Sequence, residues 1–308
     1  KRKVKPTDSL IAAFHQYRMG QAQRARILGS LLLQFGPDFQ LSLRRAPDVA
    51  QACREAYADG SEGANEAIAH GFIAPLRELQ GIIGAHEWRK NGILVPALGE
   101  KIHAHYSVFS PVRGEYCELV GNAPLPANCK TAFDIGTGTG ILAAILAKRG
   151  VPQIIATDNQ PRALACAQEN MSRLGLAKQV QLQQADLFPA GKADLIVCNP
   201  PWLPGKPGSS MEHAIYDQDS RMLRHFLQGV AAHLQPTGEA WLILSDLAEH
   251  IGLRSRVQLM DWITQAGLVL LDKHDIKPQH GRAQDANDVL HAARSKEVTS
   301  LWRLAAKK

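Results

Sequence analysis

The sequence predicts an α/β protein whose main domain is a mostly parallel sheet covered by helices. From about residue 130 onward, seven short apolar segments alternate with helical stretches, which is typical of a doubly wound, Rossmann-like sheet. A glycine-rich turn at residues 134–140 follows the first of these strands. Residues 8–80 carry helical apolar stripes instead. We therefore expect a seven-stranded sheet preceded by a smaller helical N-terminal domain.

The overall composition is that of an ordinary globular protein. Apolar residues make up 45% of the 308 residues and charged residues 21%. The longest apolar run, at 141–147, is too short to cross a bilayer, and no apolar segment of a secretory signal follows the basic start. Five cysteines without a C-x-x-C pair argue against a disulfide framework or a zinc site. We expect a cytoplasmic protein with no metal and no membrane partner.

The chain is moderately basic. Its formal net charge is +6, and four of the basic residues lie among the first five. Such a balance suits a nucleic acid or an RNA-rich partner such as the ribosome. A solvated surface with a basic tail explains the same charge, so the charge alone does not select a partner.

Four helices are predicted in the N-terminal region. Apolar residues at helical spacing mark the first at 10–17, and a second stripe at 27–35 stops at a Gly-Pro pair. Asp48 is suited to cap a third helix. A fourth is expected at roughly 62–79.

The period of the apolar pattern then changes. Residues 88–92 are typical of a turn, and 93–96 and 101–109 of the two strands of a β-hairpin. His103 and His105 fall on the same face of the second strand. Since no third ligand is in sight, we expect an exposed hairpin face there and not a metal site.

The chain is therefore expected to have three parts. Residues 1–92 form a helical substrate-recognition domain, 93–110 a β-hairpin linker, and 111–308 the α/β domain. The strands of the α/β domain are predicted at 131–134, 153–158, 180–184, 193–198, 239–244, 268–272 and 298–304. No clear core helix separates the last two strands, which fits an antiparallel hairpin of these C-terminal strands at the edge of the sheet.

Residues 134–140, D-I-G-T-G-T-G in one-letter code, form a turn between the first strand and an apolar helix. The glycines let the backbone approach a ligand closely, because no Cβ stands in the way. Asp158 ends the next strand, where its carboxylate can accept both hydroxyls of a ribose. Asp186 and Leu187 follow the third strand, at the place expected for an adenine ring. The turn therefore predicts a nucleotide-type cofactor.

The turn alone does not define that cofactor. Gly138, Gly140 and Ala143 fit the relaxed dinucleotide fingerprint, so NAD has to be considered. Two features count against NAD. Gly136 already occupies the turn directly after the strand, and the sequence offers no separate constellation for hydride transfer.

The fourth strand is followed directly by Asn199-Pro200-Pro201-Trp202, at the edge where open α/β sheets bind ligands. An amide or aromatic NH2 nitrogen is a poor nucleophile, because its lone pair is delocalised. The side-chain oxygen of Asn199 and the carbonyl of Pro200 can each accept one N–H and aim that lone pair at a methyl donor. Trp202 offers a flat face on which a planar acceptor can stack.

The two motifs together predict methyl transfer from S-adenosylmethionine to nitrogen. No general base is required, because the methylated nitrogen is cationic and loses its proton easily to water. The residues predicted to contact the acceptor are Asn199, Pro200 and Trp202. Those predicted to bind the cofactor from the turn, the strand ends and the loop are Asp134, Gly136, Thr137, Gly138, Gly140, Asp158, Asn159, Asp186, Leu187 and Asn199.

At these motifs the chain resembles the class I S-adenosylmethionine-dependent methyltransferases, and within them the HemK/PrmC-like enzymes that methylate a glutamine side-chain amide. The likeness at class level covers about 130–305. Residues 111–115, P-V-R-G-E, look like a segment that precedes the fold in those enzymes. The resemblance implies that Arg113 and Glu115 lie near the methionine end of the cofactor. Trp202 stands where those enzymes have tyrosine.

The resemblance favours a protein substrate that presents a glutamine and belongs to translation. A loop of Asn-Pro-Pro and an aromatic residue also occurs in enzymes that methylate adenine N6 or guanine N2 in RNA or DNA, because all these acceptors present an NH2 beside a π system. The N-terminal domain shows no RNA-binding signature, which slightly favours protein. A cofactor-binding module without catalysis is a further alternative, disfavoured by the intact Asn199 and Trp202.

Overall fold

The structure is a computed structural model, which describes residues 9–57, 69–111, 114–208, 212, 214–278, 285 and 288–307. Its N-terminal part mixes helices with short strands. In chain order these elements are α1 (Leu10–Gly29), β1 (Leu32–Phe35), α2 (Ala50–Tyr57), β2 (Phe72–Pro75), α3 (Leu76–Asn91), β3 (Ile93–Val95) and β4 (Glu100–Ile102).

The α/β part follows as predicted, with strands and helices in alternation. Its elements are α4 (Glu115–Asn122), β5 (Thr131–Ile135), α5 (Ile141–Lys148), β6 (Gln153–Asp158), α6 (Pro161–Arg173), β7 (Val180–Gln184), β8 (Ala193–Cys198), β9 (Leu203–Pro204), β10 (Tyr216–Asp217), α7 (Arg221–His233), β11 (Leu234–Ser245), α8 (Leu247–Ile251), α9 (Arg256–Gln265), β12 (Leu268–Ile276), α10 (His291–Arg294) and β13 (Thr299–Ala306).

The seven-stranded sheet confirms the predicted fold class. Its strand order is β12-β13-β11-β8-β5-β6-β7. The strands from β11 to β7 run parallel, whereas β13 pairs antiparallel with both β11 and β12. The C-terminal strand β13 thus lies between β11 and the edge strand β12 and is antiparallel to both. Apolar cores cover the sheet, and residues 141–147 of helix α5 are all buried.

Two of the predicted N-terminal helices differ from the structure, because each contains a short strand. Residues 32–35 form a strand, because they pair antiparallel with 72–75 and the ring of Phe35 stacks on Phe72 at 4.8 Å. Short apolar runs fit a helix and a strand equally well in sequence, and here a distant partner decides. Of the fourth predicted helix, residues 69 and 70 are helical and 76–79 belong to α3, but 72–75 form β2 and residues 62–68 lie outside the described part of the chain. Helix α3 then runs through most of the predicted turn at 88–92, as far as Asn91, and is capped by Gly92, whose φ is 67°.

The predicted role of Asp48 as a helix cap is confirmed. Its carboxylate accepts the backbone N–H of Ala50 at 3.0 Å, at the start of α2. Among the described residues, no helix is both long and apolar enough to cross a membrane.

The predicted β-hairpin is present, but its second strand is shorter than expected. β3 and β4 pair antiparallel, and β4 ends at Ile102. Beyond it the backbone docks on α6, where His103 donates its N–H to Asn170 Oδ1 at 2.9 Å. The side chain of His105 is only 11% exposed and lies 2.8 Å from Glu169. The expected exposed histidine face is therefore wrong, because both histidines lie in the contact between the linker and α6.

Candidate functional site

Two predicted motifs meet at one edge of the sheet. β5 and β8 are adjacent parallel strands, and their last paired residues are Ile135 and Cys198. The glycine-rich turn at 136–140 and the loop at 199–202 therefore leave the sheet side by side. Because the carboxyl ends of parallel strands share an edge, these motifs and Asp158 at the end of β6 lie together where open α/β sheets bind ligands, a place called the cleft below.

The glycines of the turn adopt a backbone that other residues rarely take. The φ angles of Gly136, Gly138 and Gly140 are 72°, 56° and 82°. A Cβ on Gly140 would lie 2.9 Å from Met171 Cε, so this glycine lets the turn pack against α6. A Cβ on Gly138 would meet no atom within 4 Å. Gly138 thus leaves bare backbone beside open space, which fits a cofactor lying against the turn.

Asp134 supports this turn from inside the protein. It is 1% exposed, and its Oδ2 accepts the hydroxyl of Thr137 at 2.7 Å and the N–H of Ala143 at 3.0 Å. Burial raises the pKa of this carboxyl to about 6. Both hydrogen bonds point into the turn and the first turn of α5. Asp134 and the buried Thr137 therefore hold the turn in shape, and their contact with the cofactor stays a prediction.

Asp158 is placed as a cofactor ligand would be. Its Oδ2 accepts the N–H of Gly138 at 3.0 Å, and its Oδ1 accepts the N–H of Gln160 at 2.9 Å. The residue is half-buried, and burial raises the pKa of its carboxyl. A carboxylate has about four acceptor positions, so these backbone N–H groups leave acceptor capacity for a ribose hydroxyl.

The remaining predicted residues differ in their surroundings. Asn159 and Asp186 are exposed, and Leu187 is half-buried with a φ of 72°. The hydroxyl of Thr157 donates to the Leu187 carbonyl at 2.5 Å, which fixes this loop to the end of β6. All three residues follow β6 or β7 at the edge that carries the glycines.

The segment taken from the family resemblance is described only in part. Arg113 lies outside the described residues. Glu115 starts α4, and the neighbouring Tyr116 is buried near Asp134. Burial raises the pKa of Tyr116 well above its ordinary value, and the charge of Asp134 adds to that rise. The start of α4 thus lies close to the cofactor turn.

Asn170 of α6 is a site residue that the sequence reasoning missed. It is fully buried and its side-chain amide donates to the carbonyl of Thr139 at 3.0 Å and to that of His103 at 3.1 Å. The same side chain accepts the N–H of His103. It therefore ties the turn to the linker. An asparagine among apolar positions of an amphipathic helix was the available signal.

The side chains of Trp202 and Asn199 form a hydrogen bond that the sequence could not show. The indole Nε1–H donates to Asn199 Oδ1 at 2.8 Å. The ring is half-buried and packs against the apolar cores of the sheet. Trp202 thereby fixes the orientation of the Asn199 amide and uses one of the two lone pairs of its oxygen, so one remains for an acceptor N–H. Trp202 is therefore a positioning group as well as a flat surface.

The strand before this loop offers no nucleophile. Cys198 is fully buried, and burial raises the pKa of its thiol well above the ordinary value. Pro200 is buried as well. Throughout the described part of the chain, no three His, Cys, Asp or Glu side chains lie together in a way that could hold a metal ion.

Comparison with known proteins agrees with this geometry. A profile of the methyltransferase small domain matches residues 101–265. The chain belongs to the methyltransferase small domain family. This membership confirms the predicted class, the S-adenosylmethionine-dependent methyltransferases, and with it the predicted cofactor. The matched region begins in β4 and includes both motifs of the cleft, whereas α1 to β3 lie outside it.

Relatives of similar identity carry different substrate names. The chain is 34% identical over 126 residues to the release factor glutamine methyltransferase of Cereibacter sphaeroides, which covers 36% of this chain and 45% of that protein. It is 33% identical over 143 residues to the tRNA1(Val) (adenine(37)-N6)-methyltransferase of Shewanella sp. (strain MR-4), covering 44% and 60%. The matches thus span about half the length of these curated relatives.

Similar solved structures include a methyltransferase from Pyrococcus furiosus. It shares 18% sequence identity with this chain, and the alignment covers 73% of this chain and 98% of that one with a TM-score of 0.49.

Proposed function

We propose that this protein is an S-adenosylmethionine-dependent N-methyltransferase that acts on a planar NH2 group of a macromolecule. The observation that supports it most is the pairing of Asn199 with Trp202 directly beside the glycine-rich turn. An oriented amide oxygen next to a cofactor cleft is the feature that nitrogen methylation needs. The family membership supports methyl transfer but leaves the acceptor open.

The residues of the cleft fit the cofactor. The backbone at Gly138 lies beside open space, and the Asp158 carboxylate can accept ribose hydroxyls. Asn159, Asp186 and Leu187 extend the same edge toward an adenine site. When bound, S-adenosylmethionine supplies an electrophilic methyl group.

The protein contributes orientation more than proton transfer. The Asn199 oxygen and the Pro200 carbonyl would accept the two N–H groups of the acceptor. Because Trp202 holds the Asn199 amide in place, this oxygen is oriented before the acceptor arrives, and no reorganisation is needed as the nitrogen becomes pyramidal. The product proton passes to water.

For the acceptor we propose a glutamine amide of a protein first, following the resemblance to the HemK/PrmC-like enzymes and the glutamine methyltransferase of similar sequence. Adenine N6 of RNA is the alternative, supported by the tRNA methyltransferases of comparable identity. Both present the NH2 that the loop can orient. The helical N-terminal region at 1–92 is proposed to bind the macromolecule, and 111–308 to carry the reaction.

The decisive experiment is transfer of a tritiated methyl group from S-adenosylmethionine into a cell lysate. Label that protease removes would identify a protein acceptor, and label that nuclease removes would identify a nucleic acid. An Asn199→Ala variant provides the matched control and should transfer almost nothing. If the wild-type protein labels neither fraction under conditions where it binds S-adenosylmethionine, the proposed activity is wrong.

A further inference from the structure

Helix α1 lies against the segment that follows the acceptor loop. Ala13 and Phe14 are buried in one apolar cluster with Leu203 and with residues of α8. The ring of Phe14 lies 6.5 Å from that of Tyr216. Leu203 directly follows Trp202 and begins β9, which pairs in parallel with β10. The N-terminal helix is thus built into the wall behind the loop.

Arg18 lies one helical turn after Phe14 and contacts this segment three times. Its guanidinium donates to the Lys206 carbonyl at 2.8 Å and to Glu212 Oε2 at 3.2 Å. The same group lies over the ring of Tyr216, with 3.9 Å from Cζ to the ring centroid. Charge-assisted hydrogen bonds and a cation over an aromatic face are among the stronger polar contacts that a protein makes.

Other hydrogen bonds among the described residues also join the two ends of this segment. Within it, Leu203 donates to the Ile215 carbonyl and Gly205 to the Asp217 carbonyl, each at 3.2 Å. Glu212 Oε2, which Arg18 contacts, also accepts the N–H of Gly208 at 2.8 Å. Arg18 therefore contacts both ends of the segment at once, at Lys206 just after β9 and at Tyr216 in β10.

We propose that Arg18 is a positioning residue of the acceptor site, which it serves by clamping together residues 203–208 and 214–217, the parts of this segment that follow Trp202 and precede α7. The proposal rests on the proposed function, since it assigns a role at the same site. Arg18 lies outside the matched family region 101–265, so the acceptor wall of this protein depends on its N-terminal helix. The clamp does not touch the cofactor turn, and cofactor binding does not require it.

The first test is hydrogen exchange of the full-length protein, read by mass spectrometry. In Arg18→Ala we expect amide exchange in 203–217 to become at least about tenfold faster, as the loss of charge-assisted hydrogen bonds allows. The affinity for S-adenosylmethionine, measured by calorimetry, should not change. Arg24→Ala is the matched control, because this exposed arginine of the same helix loses the same charge. It should exchange like the wild type.

The second test is tritiated-methyl transfer to graded amounts of lysate. Arg18→Ala should need about tenfold more lysate for half-maximal labelling, whereas the maximal rate changes less. Arg18→Lys keeps the charge and one donor and should recover part of the loss. A lower unfolding temperature with faster exchange throughout the protein would show a merely structural residue and overturn the proposal.

Unchanged exchange in 203–217 would overturn it as well. The exchange experiment contains no acceptor, so it decides on the clamp even if the wild-type protein transfers no methyl group. Absence of transfer in the wild type contradicts the proposed function instead.

Discussion

The glycine-rich turn and the acceptor loop leave neighbouring strands, but they are held in different ways. The turn is fixed by the carboxylates of Asp134 and Asp158 and by the side-chain amide of Asn170 on the next helix. The loop is oriented by Trp202 and is backed by Arg18 and Phe14 of the N-terminal helix. The side chains that hold the turn therefore all lie within residues 134–170, whereas the segment after the acceptor loop is contacted by a distant part of the chain.

This difference separates the cofactor site, which members of a family can share, from the acceptor site, which can differ between them. A site for one fixed cofactor can be encoded entirely within a family domain. A site for a macromolecule has to match a partner, and an added N-terminal region can shape it without disturbing the turn. We expect changes on the two sides to have separable effects, on cofactor affinity in one case and on turnover or acceptor binding in the other.

The largest effect is expected on the acceptor side. Asn199→Ala removes an oriented acceptor of the substrate N–H, an interaction that strengthens as the nitrogen becomes pyramidal. The loss should fall on kcat and amount to about 2.7–4 kcal/mol. Single-turnover methylation measures it, and calorimetry should show a much smaller change in affinity for S-adenosylmethionine. A wild-type rate would exclude the loop as the acceptor site.

On the cofactor side, Asp158→Ala should weaken S-adenosylmethionine binding by about 1–3 kcal/mol, because ribose hydroxyls and the Gly138 N–H lose their acceptor. Since burial raises the pKa of Asp158, the affinity should also fall with decreasing pH from a higher pH than an ordinary aspartate would give. Calorimetry across this range measures both effects. Stronger binding of NAD than of S-adenosylmethionine would contradict the cofactor assignment.

A smaller effect is expected for Trp202→Phe, which keeps a ring but removes the donor to Asn199 Oδ1. The loss of one such hydrogen bond amounts to about 0.5–1.5 kcal/mol and should lower kcat. Trp202→Ala also removes the stacking face and should weaken acceptor binding by roughly 1–3 kcal/mol. Trp202→Tyr should retain the stacking. Equal kcat values for Trp202→Phe and the wild type would show that the hydrogen bond does not position Asn199.

At pH 7, the smallest effect on function is expected for Asp134→Asn. Both hydrogen bonds of Asp134 run to a single oxygen, Oδ2, which an asparagine oxygen can replace. The pKa of Asp134 is raised from 3.8 to about 6, so between these values the folded state binds a proton that the unfolded state does not. Wild-type stability should therefore fall as pH rises from about 4 to 6.

The asparagine variant should lack that slope, so it gains stability relative to the wild type as pH rises through this window. Thermal unfolding of both proteins at pH 4 and pH 7 measures the difference. Parallel stability curves would show that Asp134 carries no buried charge.

The sheet and its cofactor turn were predictable because their signals are local. Glycines at the end of an apolar strand, and an acidic residue at the end of the next, specify a backbone shape and a ligand edge whatever the rest of the chain does. The strand at 32–35 was not predictable in this way. Its apolar residues fit a helical stripe, and only pairing with 72–75 makes them a strand.

By itself the sequence determined the α/β class and the glycine-rich turn, and it predicted the acceptor loop, since each rests on residues close together in the chain. The tertiary structure alone decided that Asp134 faces inward, that Trp202 donates to Asn199, and that Arg18 reaches Lys206 and Glu212. These contacts depend on side-chain direction and on packing between distant segments, the last across 188 and 194 residues. No local sequence pattern specifies contacts over such separations in the chain, because these contacts form only when the helices and the sheet pack together.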